Sequence, residues 1–542
     1  MTQGFLSLVL HAHLPFVRHP EHDRFLEENW LFEAVVETYL PLVQVMEGWL
    51  RDGMQTRLTM TMSPTLCAML LDPLLQDRTQ RHLDGLLELA EREVHRTHWD
   101  REYQPLAEMY HSRFVGLRET WFRHGRNVVG AFRKFQEAGR LEIITTAATH
   151  AVLPLLADHP PSLRAQILVA RDHYRSCFGC DPRGIWLPEC AYTEAVEVAL
   201  REAGITWFLL DTHGLLYARP RPRYSVFAPV ITPTGLAAFG RDLESARQVW
   251  SQHEGYPGDP NYRDFYRDIG FDLDYDYVKT VLPVPGARTF TGIKYHAITG
   301  GSDKRVYDRG AALETAARHA QHFLDARVRQ FQHLGGVLDR PGHLLCPYDA
   351  ELFGHWWYEG PEFLDYFVRK AYYDQQAFRL TTPYEYLQHL PTQQVAQPAA
   401  SSWGEEGYLR VWLNETNEWI HPHLRVAQER MTELVDRFPD PTALQRRALQ
   451  QAARELLLAQ SSDWPFILRT GTSPDYARRR VKDHLLRFIA LHEQLTTTQL
   501  DETWLAQIEA MDNIFPEIDH RHWAGSNAAG TLVRRMPGST DA

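Results

Sequence analysis

Short apolar runs alternate with longer amphipathic segments along roughly the first 350 residues of the chain. Runs with strand character occur at residues 5–10, 56–62, 141–146, 184–189, 206–211, 236–242 and 343–349. Helical periodicity fills the segments between them, and this alternation is typical of an α/β fold with a mostly parallel sheet. Because about seven strand-helix units can be counted, the pattern predicts an incomplete or distorted barrel.

Two stretches within this region differ from the single helix that usually connects two parallel strands. Residues 70–136 are mostly helical and charged, and their length predicts a small, mainly helical insertion. Residues 251–266 are rich in Gly, Pro, Asp and Tyr, which predicts a long aromatic loop and a candidate lid near the strand ends. A hairpin is predicted near residues 290–298.

The last third of the chain has helical periodicity throughout. It follows a linker rich in Gln, Pro, Ala and Ser at residues 391–402. Amphipathic helices are predicted at residues 415–438, 441–460, 476–498 and 501–511. We therefore divide the chain into a barrel (1–400), an all-α domain that contributes to the cleft (401–524) and a polar, Gly-rich tail (525–542) that we expect to be disordered.

Composition narrows the classes of partner and compartment. The 542 residues are 44% hydrophobic with a formal net charge of −12, which indicates a globular protein and argues against nucleic-acid binding. No apolar run is long enough to cross a bilayer and no secretory signal is recognisable, so we expect a cytoplasmic protein without a membrane partner. The five cysteines suit a reducing compartment. Cys177 and Cys180 have zinc-knuckle or redox spacing, but no second pair follows at a useful distance.

Two acidic residues stand where apolar runs end. Glu189 closes the run at 184–189, and Asp349 closes the run at 343–349, with tryptophans near both. In barrels the active site lies at the C-terminal ends of the strands. Glycosidic-bond chemistry needs one acid, one base or nucleophile, and flat apolar surfaces for sugar faces, so the two carboxyl groups are candidates for that chemistry.

Other polar residues also follow predicted strands and leave alternatives open. They are His11, His13, His150, Asp211, His213 and Asp242. His11 and His13, at i and i+2 of a strand, point the same way, as the paired imidazoles of metal-dependent amidohydrolases and deacetylases do. A metal hydrolase is therefore a rival hypothesis, although no further ligand set is clear. The structural alternatives are histidines that bond backbone at a strand end and a Glu189 that only stabilises a helix N-terminus.

Five motifs occur in order along the chain, at residues 11–16, 142–150, 186–189, 348–356 and 402–408. Together they resemble the signature regions of glycoside hydrolase family 57, most closely those of its 1,4-α-glucan branching enzymes. The resemblance continues to residues 456–466 in the helical region, so only the C-terminal tail lies outside it.

The resemblance implies a (β/α)7 barrel with a small inserted domain and a helical C-terminal domain. It also implies a retaining double displacement on α-1,4-glucan such as amylose or glycogen, in which the cleaved chain is transferred to a 6-hydroxyl to form an α-1,6 branch. Related members hydrolyse α-glucan or act as 4-α-glucanotransferases, and these activities remain alternatives. We expect no metal or organic cofactor, an α-glucan partner and a monomer.

The same resemblance assigns roles to individual residues. Glu189 is expected to be the nucleophile and Asp349 the general acid/base. The expected substrate contacts are His11, His13, His150 and Asp463, the aromatic platforms Trp30, Trp403 and Trp412, and Tyr256 at the tip of the lid. A retaining pair has carboxyl groups about 5–5.5 Å apart. Because Asp349 must hold a proton near neutral pH, we expect an apolar or anionic setting that raises its pKa.

Overall fold

The computed structural model describes residues 4–251, 254–284, 286–301 and 303–525. In these ranges the strands β1 to β10 span Gly4–Ala12, Leu58–Met62, Leu141–Ile144, Gly184–Ile185, Trp207–Leu210, Val230–Ile231, Ala237–Gly240, Gly342–Asp349, Phe378–Leu380 and Gln394–Val395. The tail predicted to be disordered, residues 525–542, lies outside the described residues except for Gly525.

Helices surround these strands and make up most of the described chain after residue 419. Helices α1 to α15 span Asn29–Ala34, Leu40–Arg51, Pro64–Leu71, Pro73–Arg96, Gln104–Arg123, Val128–Glu137, Pro160–Phe178, Val196–Glu202, Thr212–Leu216, Leu243–Trp250, Ile269–Asp272, Tyr275–Val278, Arg309–Val337, Gly360–Tyr373 and Pro383–His389. Helices α16 to α20 span Ile420–Arg437, Ala443–Ala459, Asp463–Thr470, Pro474–Thr497 and Glu502–Met511. Within the described ranges, none of these helices has the length and apolar character needed to cross a membrane.

The two sheets join edge to edge into a parallel barrel. Strands β3, β2, β1 and β8 lie side by side in the first sheet, and β4, β5 and β7 in the second. A parallel bridge between Thr145 and Ile185 connects β3 to β4, and another between Arg241 and Leu345 connects β7 to β8. The described strands thus close into the distorted seven-stranded barrel that the sequence predicts.

Strand β1 is the central strand of the first sheet. It pairs in parallel with β2 and β8, and all its residues except Phe5 are buried. Continuous burial is expected of a barrel strand, because helices cover its outer face while side chains fill the interior. The register places His11 opposite Asp349 of β8.

The predicted hairpin near residues 290–298 is wrong. The segment is irregular, and only isolated antiparallel bridges, including one between Arg263 and Ala297, involve it among the described residues. Its alternating apolar side chains, such as Ile293 and Tyr295, are buried in the core, where the Tyr295 ring packs against Tyr110 of helix α5. Alternation of apolar and polar residues indicates that one face of a segment is buried, but it does not show that a second strand pairs with it.

Residues 70–136 fold chiefly as helices α4, α5 and α6. The Asp72 side chain caps the start of α4 by accepting a hydrogen bond from the Leu75 amide at 3.0 Å. Leu83 and Leu86, three residues apart on α4, are buried as expected of an amphipathic helix.

The C-terminal helices pack against one strand end of the barrel. Helix α17 is buried along most of its length and packs against α19. Two polar contacts join its C-terminal part to the barrel: the Thr149 hydroxyl donates to the Leu457 carbonyl, and the Gln166 amide nitrogen lies 2.9 Å from Gln460 Oε1. The helical region is therefore held directly beside the strand end that carries His150.

A π-helical turn at Val35–Tyr39 separates α1 from α2. Such turns widen a helix and are frequent at functional sites. Here the turn packs against the loop that follows β8, where Glu37 Oε2 lies 2.5 Å from His355 Nδ1. Gly354 makes this approach possible: its φ is +120°, and a Cβ there would lie 1.9 Å from the Glu37 carbonyl oxygen.

Candidate active site

Neighbouring strand ends bring both predicted carboxyl groups to one edge of the barrel. His11 ends β1 opposite Asp349 of β8, His150 follows β3, and Glu189 follows β4. His11 Nε2 lies 3.0 Å from His150 Nε2, and His150 Nδ1 lies 3.6 Å from Glu189 Oε1. His11, which pairs with Asp349, is therefore connected through His150 to Glu189. We infer that Asp349 and Glu189 belong to one site.

Glu189 has a strained backbone and a firmly held side chain. Its φ of 62° and that of Cys190 at 49° lie in the left-handed region, which costs on the order of 1–3 kcal/mol for each residue and is typical of functional sites. Trp403 Nε1 donates to Glu189 Oε2 at 2.9 Å, and the Ser462 hydroxyl donates to Oε1 at 2.9 Å. Burial raises the pKa of Glu189 to about 6, against the lowering effect of these two hydrogen bonds.

The imidazoles of His11 and His150 are neutral groups in an apolar setting. The His11 ring stacks on Trp186 with centroids 4.5 Å apart and an interplanar angle of 13°. Burial lowers the pKa of His11 well below its ordinary value, and His13 lowers it further. Burial, His13 and His11 likewise lower the pKa of His150. Each ring therefore has one N–H donor and one bare acceptor nitrogen.

The pKa of His13 is shifted in the opposite direction from those of His11 and His150. Its Nε2 lies 3.3 and 3.2 Å from the two carboxylate oxygens of Asp463, the first residue of α18, and its ring stacks on His150. Burial alone would lower the pKa of His13, but Asp463, Glu189 and Glu351 together raise it. The contact with Asp463 favours the protonated form of His13 and connects the end of β1 to the helical domain.

Asp349 lies in a setting that keeps it protonated. Burial raises the pKa of Asp349 well above its ordinary value, and the charges of Glu351 and Glu189 add to the effect. Glu351 Oε1 accepts a hydrogen bond from the His13 amide at 3.2 Å and another from the Tyr39 hydroxyl, which hold its carboxylate in place. The expected apolar and anionic setting is therefore present.

Sequence reasoning missed three residues of this site: Ser462, Glu351 and Tyr39. Ser462 and Glu351 lie within the recognised motifs at 456–466 and 348–356, so the motifs located them without indicating their contacts. Tyr39 lies in the π-helical turn, outside every motif, and the sequence carries no signal for it.

Asp211 and Asp242, the other carboxylates that follow predicted strands, support the fold. Asp211 pairs with Arg241 at 2.7 Å and accepts a hydrogen bond at the start of α9. Asp242 caps α10 by accepting from the Ser245 amide at 2.8 Å. Both are occupied in local structure and contact none of the residues described above as forming the site.

Two of the three predicted aromatic platforms retain open surface. Trp403 is half-buried and packs edge-on against Trp186, with ring centroids 5.3 Å apart. Trp30 is half-buried and packs edge-on against Tyr476. The prediction for Trp412 is wrong: it is 1% exposed, and its ring packs so closely on Gly404 that a Cβ there would lie 2.6 Å away. Trp412 supports the Trp403 loop from behind and has no face open to a sugar.

The prediction that Tyr256 stands at the tip of a lid is also wrong. Tyr256 is 7% exposed and belongs to the main hydrophobic core. Its ring stacks on His319 with centroids 4.6 Å apart, and its hydroxyl oxygen lies 2.8 Å from His322 Nδ1. Gly and Pro composition predicts a loop correctly but does not show which aromatic residues of that loop are buried.

Replacing Tyr256 by phenylalanine should therefore weaken the fold without changing the chemistry. We expect the free energy of unfolding to fall by about 1 kcal/mol, the typical value of one hydrogen bond, as measured by urea denaturation. The proportions of transfer and hydrolysis on amylose should stay at the wild-type value. A changed proportion of transfer to hydrolysis would support the predicted role of Tyr256 in a lid.

The three predicted histidines, which the rival hypothesis made metal ligands, contact each other and Asp463. Among the described residues, three side chains that could hold a metal ion come together in a different place. Glu455, His484 and Asp512 converge in the helical domain, all buried. Arg487 Nη1 lies 2.5 Å from Asp512 Oδ2, and His484 Nδ1 lies 2.7 Å from Glu455 Oε2. The arginine balances the carboxylate charge, so the cluster is an internal ion-pair network that joins α17, α19 and the end of α20.

Comparison with known proteins covers most of the chain. Residues 7–399 match the family described as Glycosyl hydrolase family 57, and residues 423–523 match the domain described as 1,4-alpha-glucan branching enzyme, C-terminal. The 1,4-alpha-glucan branching enzyme TK1436 of Thermococcus kodakarensis is 31% identical over 95% of this chain and 77% of its own length.

Two solved structures superpose closely on this one. The alpha-amylase AmyC of Thermotoga maritima has a TM-score of 0.91 and 42% identity, covering 96% of this chain and 99% of its own. The GH57-type branching enzyme of Pyrococcus horikoshii has a TM-score of 0.87 and 30% identity, covering 97% of each chain. On the family match and these full-length likenesses, the chain belongs to glycosyl hydrolase family 57.

Proposed function

We propose that the protein is a 1,4-α-glucan branching enzyme that works by retaining double displacement. The observation that carries the proposal is the pair of carboxyl groups at one barrel edge, one held by two donors and the other kept protonated. The branching-enzyme domain at residues 423–523 and the branching-enzyme relatives support transfer to a 6-hydroxyl.

In the first step Asp349 acts as the acid and Glu189 as the nucleophile. Asp349 donates its proton to the glycosidic oxygen while a Glu189 oxygen attacks the anomeric carbon, so the carbon–oxygen bond to the leaving chain breaks and a glycosyl ester forms. In the second step the Asp349 carboxylate removes the proton of an incoming 6-hydroxyl. That oxygen then displaces Glu189 and forms the α-1,6 bond.

The electrostatics of the pair support both steps. The negative charge of Glu189 helps to hold the proton on Asp349 in the free enzyme. Esterification removes that charge, so the pKa of Asp349 falls when its carboxylate must serve as the base. One residue can therefore change from acid to base within a turnover.

The active ionisation state predicts a bell-shaped pH profile of kcat/KM. Activity should rise with pH through about 6 as Glu189 loses its proton, and fall again when Asp349 loses its own at higher pH. Glu351→Gln removes one charge that raises the pKa of Asp349, so the alkaline limb should move to lower pH. An alkaline limb that does not move would show that the charge of Glu351 does not raise the pKa of Asp349.

The experiment that tests the function is incubation with amylose followed by isoamylase digestion and chain-length analysis. A branching enzyme yields new chains after debranching, because isoamylase cuts only the α-1,6 bonds that transfer creates. Release of reducing ends without new branches would instead establish the α-glucan hydrolase alternative, which the 42% identity to the alpha-amylase AmyC keeps in view. New α-1,4 chain lengths without branches would establish a 4-α-glucanotransferase.

The proposal also includes a role in glycogen formation in the cytoplasm by a monomer. Its support is the free state of all five cysteines, which suits a reducing compartment, and the acidic net charge, which suits a neutral polysaccharide better than a polyanion. Cell fractionation and sedimentation of the purified protein test the compartment and the oligomeric state.

A further inference from the structure

The nucleophile receives both of its side-chain hydrogen bonds from outside the barrel strands. Trp403 follows the barrel in the chain, and Ser462 directly precedes helix α18 of the C-terminal domain. Ser462 is 1% exposed, so its hydroxyl is shielded from solvent. Each of the two carboxylate oxygens of Glu189 thus has one protein donor, and Ser462 serves Oε1.

The Ser462 hydroxyl also contacts His150, so the ring nitrogen of His150 that carries the hydrogen can be assigned. A serine hydroxyl has one proton to donate, and Ser462 donates it to Glu189 Oε1. His150 Nδ1, 2.8 Å from the same oxygen, must therefore carry the hydrogen of that contact. Because His150 is neutral, its Nε2 is a bare acceptor.

The protonated ring nitrogen of His11 follows from the same reasoning. Its Nε2, 3.0 Å from the bare Nε2 of His150, must donate. Since His11 is neutral as well, its Nδ1 is a bare acceptor, and within the described residues this buried atom has no partner. A chain of donors therefore runs from His11 through His150 and Ser462 to Glu189, all in one direction.

We propose that Ser462 is a positioning residue for the nucleophile: its single hydroxyl proton holds the Glu189 carboxylate and dictates which ring nitrogens of His150 and His11 carry hydrogen. The inference rests on the proposed function, in which Glu189 attacks the sugar. Without the hydroxyl, Glu189 Oε1 would keep only His150 Nδ1 at 3.6 Å, too far for a normal hydrogen bond. The buried N–H of His150 would also lose its acceptor.

Ser462→Ala tests the proposal through kcat and the acid limb of the pH profile. We expect kcat for amylose cleavage to fall about 10- to 100-fold, the effect of losing a hydrogen bond to a charged group, with KM within about twofold of wild type. The acid limb should move to higher pH, because a donor to Glu189 favours its ionised form.

Ser462→Thr should restore both quantities. Threonine keeps the hydroxyl that donates to Glu189, and Ser462 is among the residues that line a cavity of about 430 Å³. Ser462→Cys retains the side-chain volume with a weaker donor, so it should move the acid limb in the same direction even if the alanine variant folds poorly. Thr470→Ala is the matched control, since it removes a hydroxyl at the other end of α18 whose partners among the described residues are backbone carbonyls and Thr472.

Two results would overturn the proposal. An unchanged kcat and acid limb in Ser462→Ala would show that the hydroxyl does not position Glu189. A loss confined to KM would show that Ser462 binds sugar instead. Cleavage is measured here separately from branch formation, so a wild-type enzyme that cleaves without branching would refute the proposed function while leaving the Ser462 result readable.

Discussion

Glu189→Gln is expected to abolish both cleavage and transfer on amylose, with kcat reduced by a factor on the order of 10⁴ or more. An amide has nearly the shape of a carboxylate and can still accept the Trp403 hydrogen bond, but it is not a nucleophile. Binding of maltooligosaccharides should persist, because the half-buried rings of Trp403 and Trp30, which we propose as sugar platforms, are unchanged. Initial rates and calorimetric titration with maltopentaose measure the two effects.

Glu194→Gln provides the matched control for this variant. Glu194 is exposed five residues further along the chain, so the same change of charge there should leave the rates unaltered. A Glu189→Gln enzyme that retained more than a few per cent of wild-type activity would contradict the nucleophile assignment.

Asp349→Asn is expected to show a loss that depends on the leaving group. On amylose the rate should fall by about 10²- to 10⁴-fold, because asparagine cannot protonate the glycosidic oxygen. On an α-maltooligosyl fluoride the first step should be far less affected, since fluoride departs without a proton. The second step still lacks its base, so a burst of fluoride followed by slow turnover is expected, and fluoride release over time measures it.

The fold of Asp349→Asn should remain intact. Asparagine resembles the protonated aspartic acid that this setting favours, so the urea midpoint should stay near that of wild type. Asp374→Asn, at the exposed end of α14, is the control for the change of residue type. Equal losses on amylose and on the fluoride would show that Asp349 does not act as the acid.

The sequence predicts the barrel well because its signal is local. Each strand is an apolar run with its own boundaries, and parallel strands place their C-terminal ends at one edge, so Glu189 and Asp349 could be proposed as one site before any contact was known. The false hairpin at 290–298 has the same origin. Its alternation is real, but the buried face of Ile293 and Tyr295 lies in the core, with Tyr295 against helix α5 instead of in a sheet.

What could not be predicted depends on contacts between distant segments. Ser462 acts on Glu189 across 273 positions in the chain, and Tyr39 acts on Glu351 across 312. No pattern along the chain encodes such pairs. Tyr256 and Trp412 show the converse error: a lid tip and a sugar platform were predicted for them, and tertiary packing buries both rings.

The dependence of the site on late parts of the chain has a consequence for synthesis on the ribosome. Strand β1 emerges first, yet its partner β8 begins only at Gly342, so the barrel cannot close until most of the protein has been translated. Ser462 and Asp463 emerge later still. A nascent or prematurely terminated chain therefore carries Glu189 without its hydroxyl donor, and we expect it to be a poor catalyst until synthesis is complete.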